Sequence, residues 1–209
     1  LMVTNPAGAA KVMQRMLAVT RRRLENTGEF LSDMVQWGEE ARRRAITDPL
    51  TGLHNRRFLE EALEEQVGKA RQAQRPFALV MLDLDDFREI NEGYSQKMGD
   101  RVIVAAAEVF RSCLRPGDAA ARYGGDEFTF LMPDTDVPAA LEVLERIRAG
   151  VEALNLLEGL GGPVRRVTTS QGLACFPQHG ADAAALRKAA DAALYEAKEL
   201  GRNRVQVAG

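Results

Sequence analysis

The chain has 209 residues, 45% of them apolar and 28% charged, with a formal net charge of -2. That is room for one good core plus a helical extension, and the near-neutral balance gives no electrostatic case for a nucleic-acid polymer as main partner. The absence of any run of about 18 apolar residues excludes a membrane-spanning helix, and two distant cysteines, Cys113 and Cys175, with only two histidines and no CxxC, argue against a structural zinc site and for a reducing compartment.

Leu1-Met2-Val3 opens no basic stretch followed by an apolar core, so no signal peptide is expected. A first residue other than Met reads as a piece cut from something longer. From about Ala9 to Ile46 the chain lacks proline and predicts one long helix, or two broken near Gly28. Leu17, Leu24 and Leu31 form one row; Met13, Thr20, Thr27, Met34 and Ala41 form another, offset by four. This is an a/d seam with weak d positions. It fits either a helix docked on its own domain or a short parallel coiled coil that dimerises the chain. Its place before a compact domain favours the coiled coil.

Thr47-Asp48-Pro49 marks a turn, because the residue before proline avoids helix. Asn55 or Thr51 then caps a helix from about Arg56 to Gln72. Phe77–Leu84 is a continuous apolar run of strand length, hence a buried central strand. Helices are expected near Asp85 to Asn91 and from about Gly99 to Leu114. Between Ala119 and Met132 two short strands meet at Gly124-Gly125, read as a two-residue hairpin turn. Val137 to Leu156 is helical in pattern, residues 159–163 form a loop, and residues 167–174 are β-rich. Asp182 to Leu200 is an alanine-rich helix stopped by Gly201, and Val205-Gln206-Val207 forms a last short strand. The result is an α+β fold: a mixed central sheet with helices packed on it.

The chemistry concentrates in Tyr123-Gly124-Gly125-Asp126-Glu127-Phe128 and in Asp83-Leu84-Asp85-Asp86. A buried strand should not end in three acids unless they have partners. If that strand lies beside the hairpin, Asp83 and Asp126 meet at one end of the sheet. With the Leu84 carbonyl they suit Mg²⁺, which takes hard oxygen ligands. The alternative is that these acids cap the following helix. Lys198 and Arg202, spaced i, i+4 at the end of the last helix, either complement its dipole or hold a polyphosphate tail. Backbone N–H groups at Asp86, Phe87 and Arg88 are placed to cradle phosphate oxygens. Asn91 and Asp100 have the donor and acceptor groups to read a guanine edge.

These blocks, in this order, resemble the GGDEF domain of bacterial diguanylate cyclases. The resemblance rests on Asp48-Pro49-Leu50-Thr51-Gly52-Leu53-His54-Asn55-Arg56-Arg57, on Asp83 through Asn91, on Gly99-Asp100, on Arg122 through Phe128, on the Val167–Gly172 strand and on Ala190 through Asn203. It covers about residues 47 to 207. It implies a palm-like, nucleotidyl-cyclase-like five-stranded sheet, with residues 1–46 as a signalling and dimerisation helix and 47–209 as the catalytic domain. It further implies a bacterial cytoplasmic enzyme in which two domains face each other and condense two GTP into cyclic di-GMP and two pyrophosphates.

By similarity, Asp83, the Leu84 carbonyl and Asp126 would hold Mg²⁺, or Mn²⁺. Asp126 or Glu127 would help deprotonate the attacking hydroxyl, and Arg88 stands where the family usually has lysine. Phe87, Asn91, Asp100, Gly124, Gly125, Lys198 and Arg202 would contact GTP. Arg115-Pro116-Gly117-Asp118 is either a charged Pro-Gly turn or, with Arg146, the family's inhibitory cyclic di-GMP site. The spacing to the signature favours the site. The helix before residue 47 implies an upstream sensor domain, and membrane tethering of the parent protein stays open. Two departures stand out: Glu92-Gly93-Tyr94-Ser95-Gln96 replaces Asp-x-Tyr/Phe-Gly-His, and Gln171 occupies an apolar strand position. Neither removes a metal ligand, so an active enzyme is expected. The competing readings are a catalytically silent cyclic di-GMP receptor and an adenylate cyclase or polymerase-like enzyme on the same palm.

Overall fold

A computed structural model describes residues 6–209, and the expectation for Leu1-Met2-Val3 falls outside them. The chain divides into two units, one ending at Ala45 and one spanning Ile46–Gly209. The first is the helix α1, Pro6–Ile46. It runs unbroken through Gly28, since one glycine costs a helix only about 1 kcal/mol. Residues 10–45 are all exposed, Leu17, Leu24, Leu31 and Trp37 included. No helix among the described residues is long and apolar enough to cross a membrane.

The second unit runs β1 (His54–Asn55), α2 (Arg56–Ala73), β2 (Phe77–Leu84), α3 (Phe87–Gly93), α4 (Gln96–Cys113), β3 (Ala119–Gly124), β4 (Glu127–Pro133), α5 (Val137–Glu152), β5 (Thr169–Phe176), α6 (Ala183–Glu199) and β6 (Val205–Val207). The strands form one mixed sheet in the order β1-β3-β4-β2-β5-β6. β2 lies in the middle, antiparallel to both β4 and β5, while β1 and β6 pair in parallel at the edges. The sheet thus has six strands rather than five. The extra one, β1, is two residues long, too short for any alternation to reveal it, and its Asn55 also caps α2 by accepting from Phe58 N.

Period-two alternation along β2 sorts the core into two layers. Ala78, Val80, Leu82 and Leu84 face α3, α4 and α5, joined by Ile90, Val102, Phe110, Leu144 and Ile147. Phe77 and Leu79 face α2 and α6 with Leu59, Val67, Leu186 and Ala190. Asp83 continues the second series, so its carboxylate points to the α2/α6 side. There α6 lies directly on β5. A Cβ at Gly172 would sit 2.1 Å from the Ala190 carbonyl oxygen and 2.3 Å from Leu194 N. Both are backbone atoms of α6, so no side-chain rotation relieves the clash. Gly172→Ala is therefore expected to cost roughly 2–4 kcal/mol in denaturant unfolding and to lift the helix that carries Lys198.

Several boundaries differ from the expected ones. α3 starts at Phe87 because Asp86 adopts a left-handed φ of 53° and makes no side-chain cap. Capping therefore does not explain its charge. α4 begins at Gln96, capped by Ser95, and α5 stops at Glu152. β5 begins at Thr169 and extends to Phe176, buried throughout. Gln171 fits there by donating its amide to the Leu144 carbonyl at 3.2 Å, although its Oε1 has no hydrogen-bond partner. The hairpin turn is Gly125-Asp126, not Gly124-Gly125: Gly124 still pairs with Glu127, after a register shift beyond Arg122. Gly125 supplies the positive φ, 54°.

Candidate active site

β2 ends where the hairpin turns. Asp83 lies opposite Glu127 in the β2/β4 register, and Leu84 N donates to the Asp126 carbonyl at 3.2 Å. Directly opposed residues of an antiparallel pair share a face, so Asp83 and Glu127 both address the α2/α6 side. Asp83 is 9% exposed, Asp126 half-buried and Glu127 exposed. From the last turn of α6, Lys198 Nζ reaches Asp83 Oδ2 at 2.9 Å. Arg202, just past the helix, places Nε 3.4 Å from Asp86 Oδ1. The sequence-predicted carboxylates and cations thus converge on the end of one strand.

Burial pushes the Asp83 carboxyl up to about 6. The Lys198 ammonium opposes this, while Asp126 and Asp85 add repulsion. A carboxylate so placed wants more positive charge than one lysine provides. Among the described residues no three His, Cys, Asp or Glu side chains group as a metal site. A cation here would draw on two carboxylates, Asp83 and Asp126, and on the Leu84 carbonyl, a hard all-oxygen set that suits Mg²⁺ or Mn²⁺ rather than a softer metal.

The remaining predicted residues separate into two neighbourhoods. Phe87 is buried at the start of α3, while Arg88 is exposed and spends its Nε on Glu92 at 2.8 Å. Asn91, on α3, rests against the bare backbone of α4: a Cβ at Gly99 would lie 2.0 Å from Asn91 Oδ1. That oxygen is buried without a hydrogen-bond partner, and Asp100 follows Gly99 on the exposed side. Within the departing stretch Tyr94 keeps the expected aromatic, its hydroxyl donating to the Val164 carbonyl and tying the 159–166 loop to the end of α3. Farther off, Arg115 and Asp118 pair at 3.1 Å, with the Asp118 side chain buried. Arg115 also donates to Thr135 Oγ1 at 2.6 Å and to the Pro133 carbonyl. Arg146 donates to the Cys113 carbonyl at 3.3 Å. Arg115 and Asp118, but not Arg146, border a cavity of about 470 Å³ between residues 47–54 and 111–120.

Sequence reasoning missed three arrangements. Arg122 donates to the Gly125 carbonyl at 2.9 Å and to Asp48 at 3.3 Å. Burial pushes the Asp48 carboxyl up, but bonds from Thr51 and the Arg122 guanidinium outweigh it and hold the carboxyl below its ordinary value. Tyr123 lies between Arg56 and Arg187, 4.5 and 5.0 Å from its ring centre, at the edge of a groove that also reaches Glu127. Asp85 is buried under three donors. Each is a long-range pairing with no local sequence signal.

Comparison with known proteins agrees with this geometry. The family model described as diguanylate cyclase, GGDEF domain, matches residues 45–204.

The chain belongs to the GGDEF family.

Diguanylate cyclase DgcP of Pseudomonas aeruginosa is 39% identical over 170 residues, covering 81% of this chain and 25% of that protein. The response regulator PleD of Caulobacter vibrioides is 38% identical over 161 residues, covering 77% and 36%. The chain therefore spans only a quarter to about a third of the length of these curated relatives. Among solved structures, the coiled coil and GGDEF domain of DgcB from Caulobacter crescentus, in complex with c-di-GMP, superposes with a TM-score of 0.81. It is 31% identical and covers 90% of this chain and 99% of that one. Diguanylate cyclase SiaD of Pseudomonas aeruginosa, in complex with its activator SiaC, gives 0.75 at 32% identity, covering 96% and 76%. The mixed sheet and flanking helices are the architecture of a palm-like GGDEF domain.

Proposed function

We propose that this GGDEF domain is a diguanylate cyclase, joining two GTP into cyclic 3′,5′-di-GMP and releasing two pyrophosphates between paired chains. The observation that carries the reading is the convergence of Asp83, Asp126 and Glu127 with Lys198 and Arg202 at the end of β2. Asn91 and Asp100 read guanine, with Gly99 leaving room for the Asn91 side chain. Phe87 and the hairpin backbone at Gly124 and Gly125 lie along the nucleoside, and Lys198 and Arg202 hold the β- and γ-phosphates. Asp126 or Glu127 takes the proton of the 3′-hydroxyl. That oxygen attacks the α-phosphorus of the other GTP, the bond to the β-phosphate oxygen breaks, and pyrophosphate leaves. Asp83, Asp126 and the Leu84 carbonyl would hold Mg²⁺ or Mn²⁺, which when bound polarises the α-phosphate and offsets its charge. Arg88 is exposed and pairs through Nε with Glu92, which leaves the rest of its guanidinium to meet a phosphate.

Residues 1–46 act as the signalling and dimerisation helix and 47–209 as the catalytic domain, in a cytoplasmic protein whose upstream sensor precedes the helix. Mass spectrometry of the products from Mg²⁺ with GTP or ATP, alongside the oligomer mass, tests the reading. Cyclic di-GMP from GTP alone is expected. A purified dimer that makes none would defeat it and favour a silent cyclic di-GMP receptor.

Product inhibition belongs to the same proposal. Arg115, Asp118 and Arg146 form the site at which cyclic di-GMP arrests the domains, with the Arg115–Asp118 pair already formed. Arg115→Ala is expected to raise the inhibitory concentration of cyclic di-GMP by about tenfold or more, the worth of a charge-assisted contact. Unchanged inhibition in a dose–response assay would remove the site from the account.

A further inference from the structure

Asp85 is 2% exposed and lies two residues beyond Asp83. Its Oδ1 accepts from Ser170 Oγ at 2.6 Å, and its Oδ2 from Thr168 Oγ1 at 2.7 Å and from Asn203 N at 3.1 Å. Its own N–H donates to the Thr168 carbonyl at 3.0 Å. An acceptor-only group buried among three donors is a fixed point. The third donor belongs to a distant loop. There Gly201, Arg202 and Asn203 follow one another at φ of 105°, 60° and 45°. Asparagine visits the left-handed region readily, but arginine rarely does, so Arg202 in that conformation persists only where the surroundings hold it. Arg202 N donates to the Ala197 carbonyl at 3.0 Å, and the Asn203 side chain accepts from Arg148 at 3.1 Å. The Asp85 carboxylate anchors the backbone of this loop from the segment just past β2, beside the Asp86 carboxylate that pairs with the Arg202 side chain.

We propose that Asp85 is a positioning residue for the triphosphate: by accepting the Asn203 N–H it holds the left-handed 201–203 turn that aims Arg202 at the β- and γ-phosphates. The proposal rests on the reading of Arg202 as a phosphate contact. Asp85 touches no substrate. Its two hydroxyl partners keep the carboxylate oriented, so that Oδ2 stays under the loop. A carboxylate that only stabilised the sheet would weaken folding without changing which part of the nucleotide the protein recognises. A carboxylate that sets the loop changes affinity for the phosphate tail and leaves affinity for the guanosine part alone.

The test is calorimetric titration of the full chain with Mg²⁺ and either α,β-methylene GTP or GMP, the readout being the preference for triphosphate over monophosphate. Arg202→Ala and Asp85→Ala are each expected to lower that preference by about tenfold, the worth of one lost polar contact, with GMP affinity unchanged. The double variant is expected to fall no further, because both changes remove one arrangement. Asp85→Asn, whose amide oxygen still accepts from Asn203, is expected to stay within about threefold of the parent. It carries the test if Asp85→Ala does not fold. Loss of preference in Arg202→Ala alone would overturn the positioning role and leave the functional reading standing. So would a further tenfold loss in the double variant, or Asp85→Asn falling to the Arg202→Ala level. No change in Arg202→Ala would overturn both the reading of Arg202 and the proposal.

Discussion

Asp83→Asn is expected to reduce cyclic di-GMP synthesis by about a thousandfold or more, since it removes an anionic oxygen ligand from the set that would hold the metal. The same change is expected to raise the melting temperature of the metal-free protein near neutral pH. The carboxyl titrates at about 6 in the folded chain against an ordinary 3.8, with burial as the leading cause. Between those values the folded state binds more protons than the unfolded one, so stability falls as pH rises through that window. Above about 6 the ionised group is a standing cost. The neutral amide removes it, and half-exposed Lys198 turns to solvent. Thermal melts of both proteins across that pH range should diverge as pH increases. Parallel curves would mean that Asp83 carries no such strain, and undiminished turnover would remove it from the reaction.

Deleting residues 1–45 is expected to have the second large effect. Each chain supplies only half of the proposed chemistry, so the rate depends on how often two catalytic units meet. A helix that pairs two chains raises the effective concentration of one unit for the other. Leu17, Leu24, Leu31 and Met34 are exposed along it, and the expectation is that they would make that pairing. Without it, specific activity at submicromolar protein should fall by about a hundredfold and then climb with protein concentration. Initial rates measured over a dilution series decide the matter. A rate strictly proportional to protein concentration in the shortened chain would show that the helix contributes nothing to pairing.

How much of this was legible beforehand differs by kind of feature. Phe77–Leu84 declared itself as a buried central strand because eight apolar or terminal acidic residues in a row fit little else. The helices expected from about Arg56 and from Asp182 start within a residue of those positions, with Asn55, one of the two candidate caps, capping the first and Asp182 itself capping the second. The clustering of Asp83, Asp126, Lys198 and Arg202 was expected from ordered motifs and is seen in the geometry. β1 was invisible, since two residues carry no period. The shift of the turn to Gly125-Asp126 was invisible too, because a register change after Arg122 is decided by pairing with β4 and not by the glycines. Capping is one of two readings the sequence leaves open for the acids after Asp83, and Asp86 makes no cap: its backbone is left-handed and its side chain pairs with Arg202. Asp85, Arg122 and Tyr123 were read as motif letters. Their partners lie 118, 74 and 64 residues away, and no window of sequence contains both ends.

The Asp48–Arg122–Gly125 chain of bonds ties the entry of the catalytic unit to its hairpin. Asp48 lies two residues past the end of α1, and the Arg122 guanidinium joins its carboxylate to the carbonyl of the hairpin turn. The strands behind that turn are clamped by ladders on either side, whereas this link is a single side chain. Thr47, the residue before Asp48, bridges to His54 of β1, so the first residues of the catalytic unit hold both the sheet edge and the hairpin turn. The turn that carries Asp126 is thus moored twice, to β2 through Leu84 N and to the entry of the catalytic unit through Arg122.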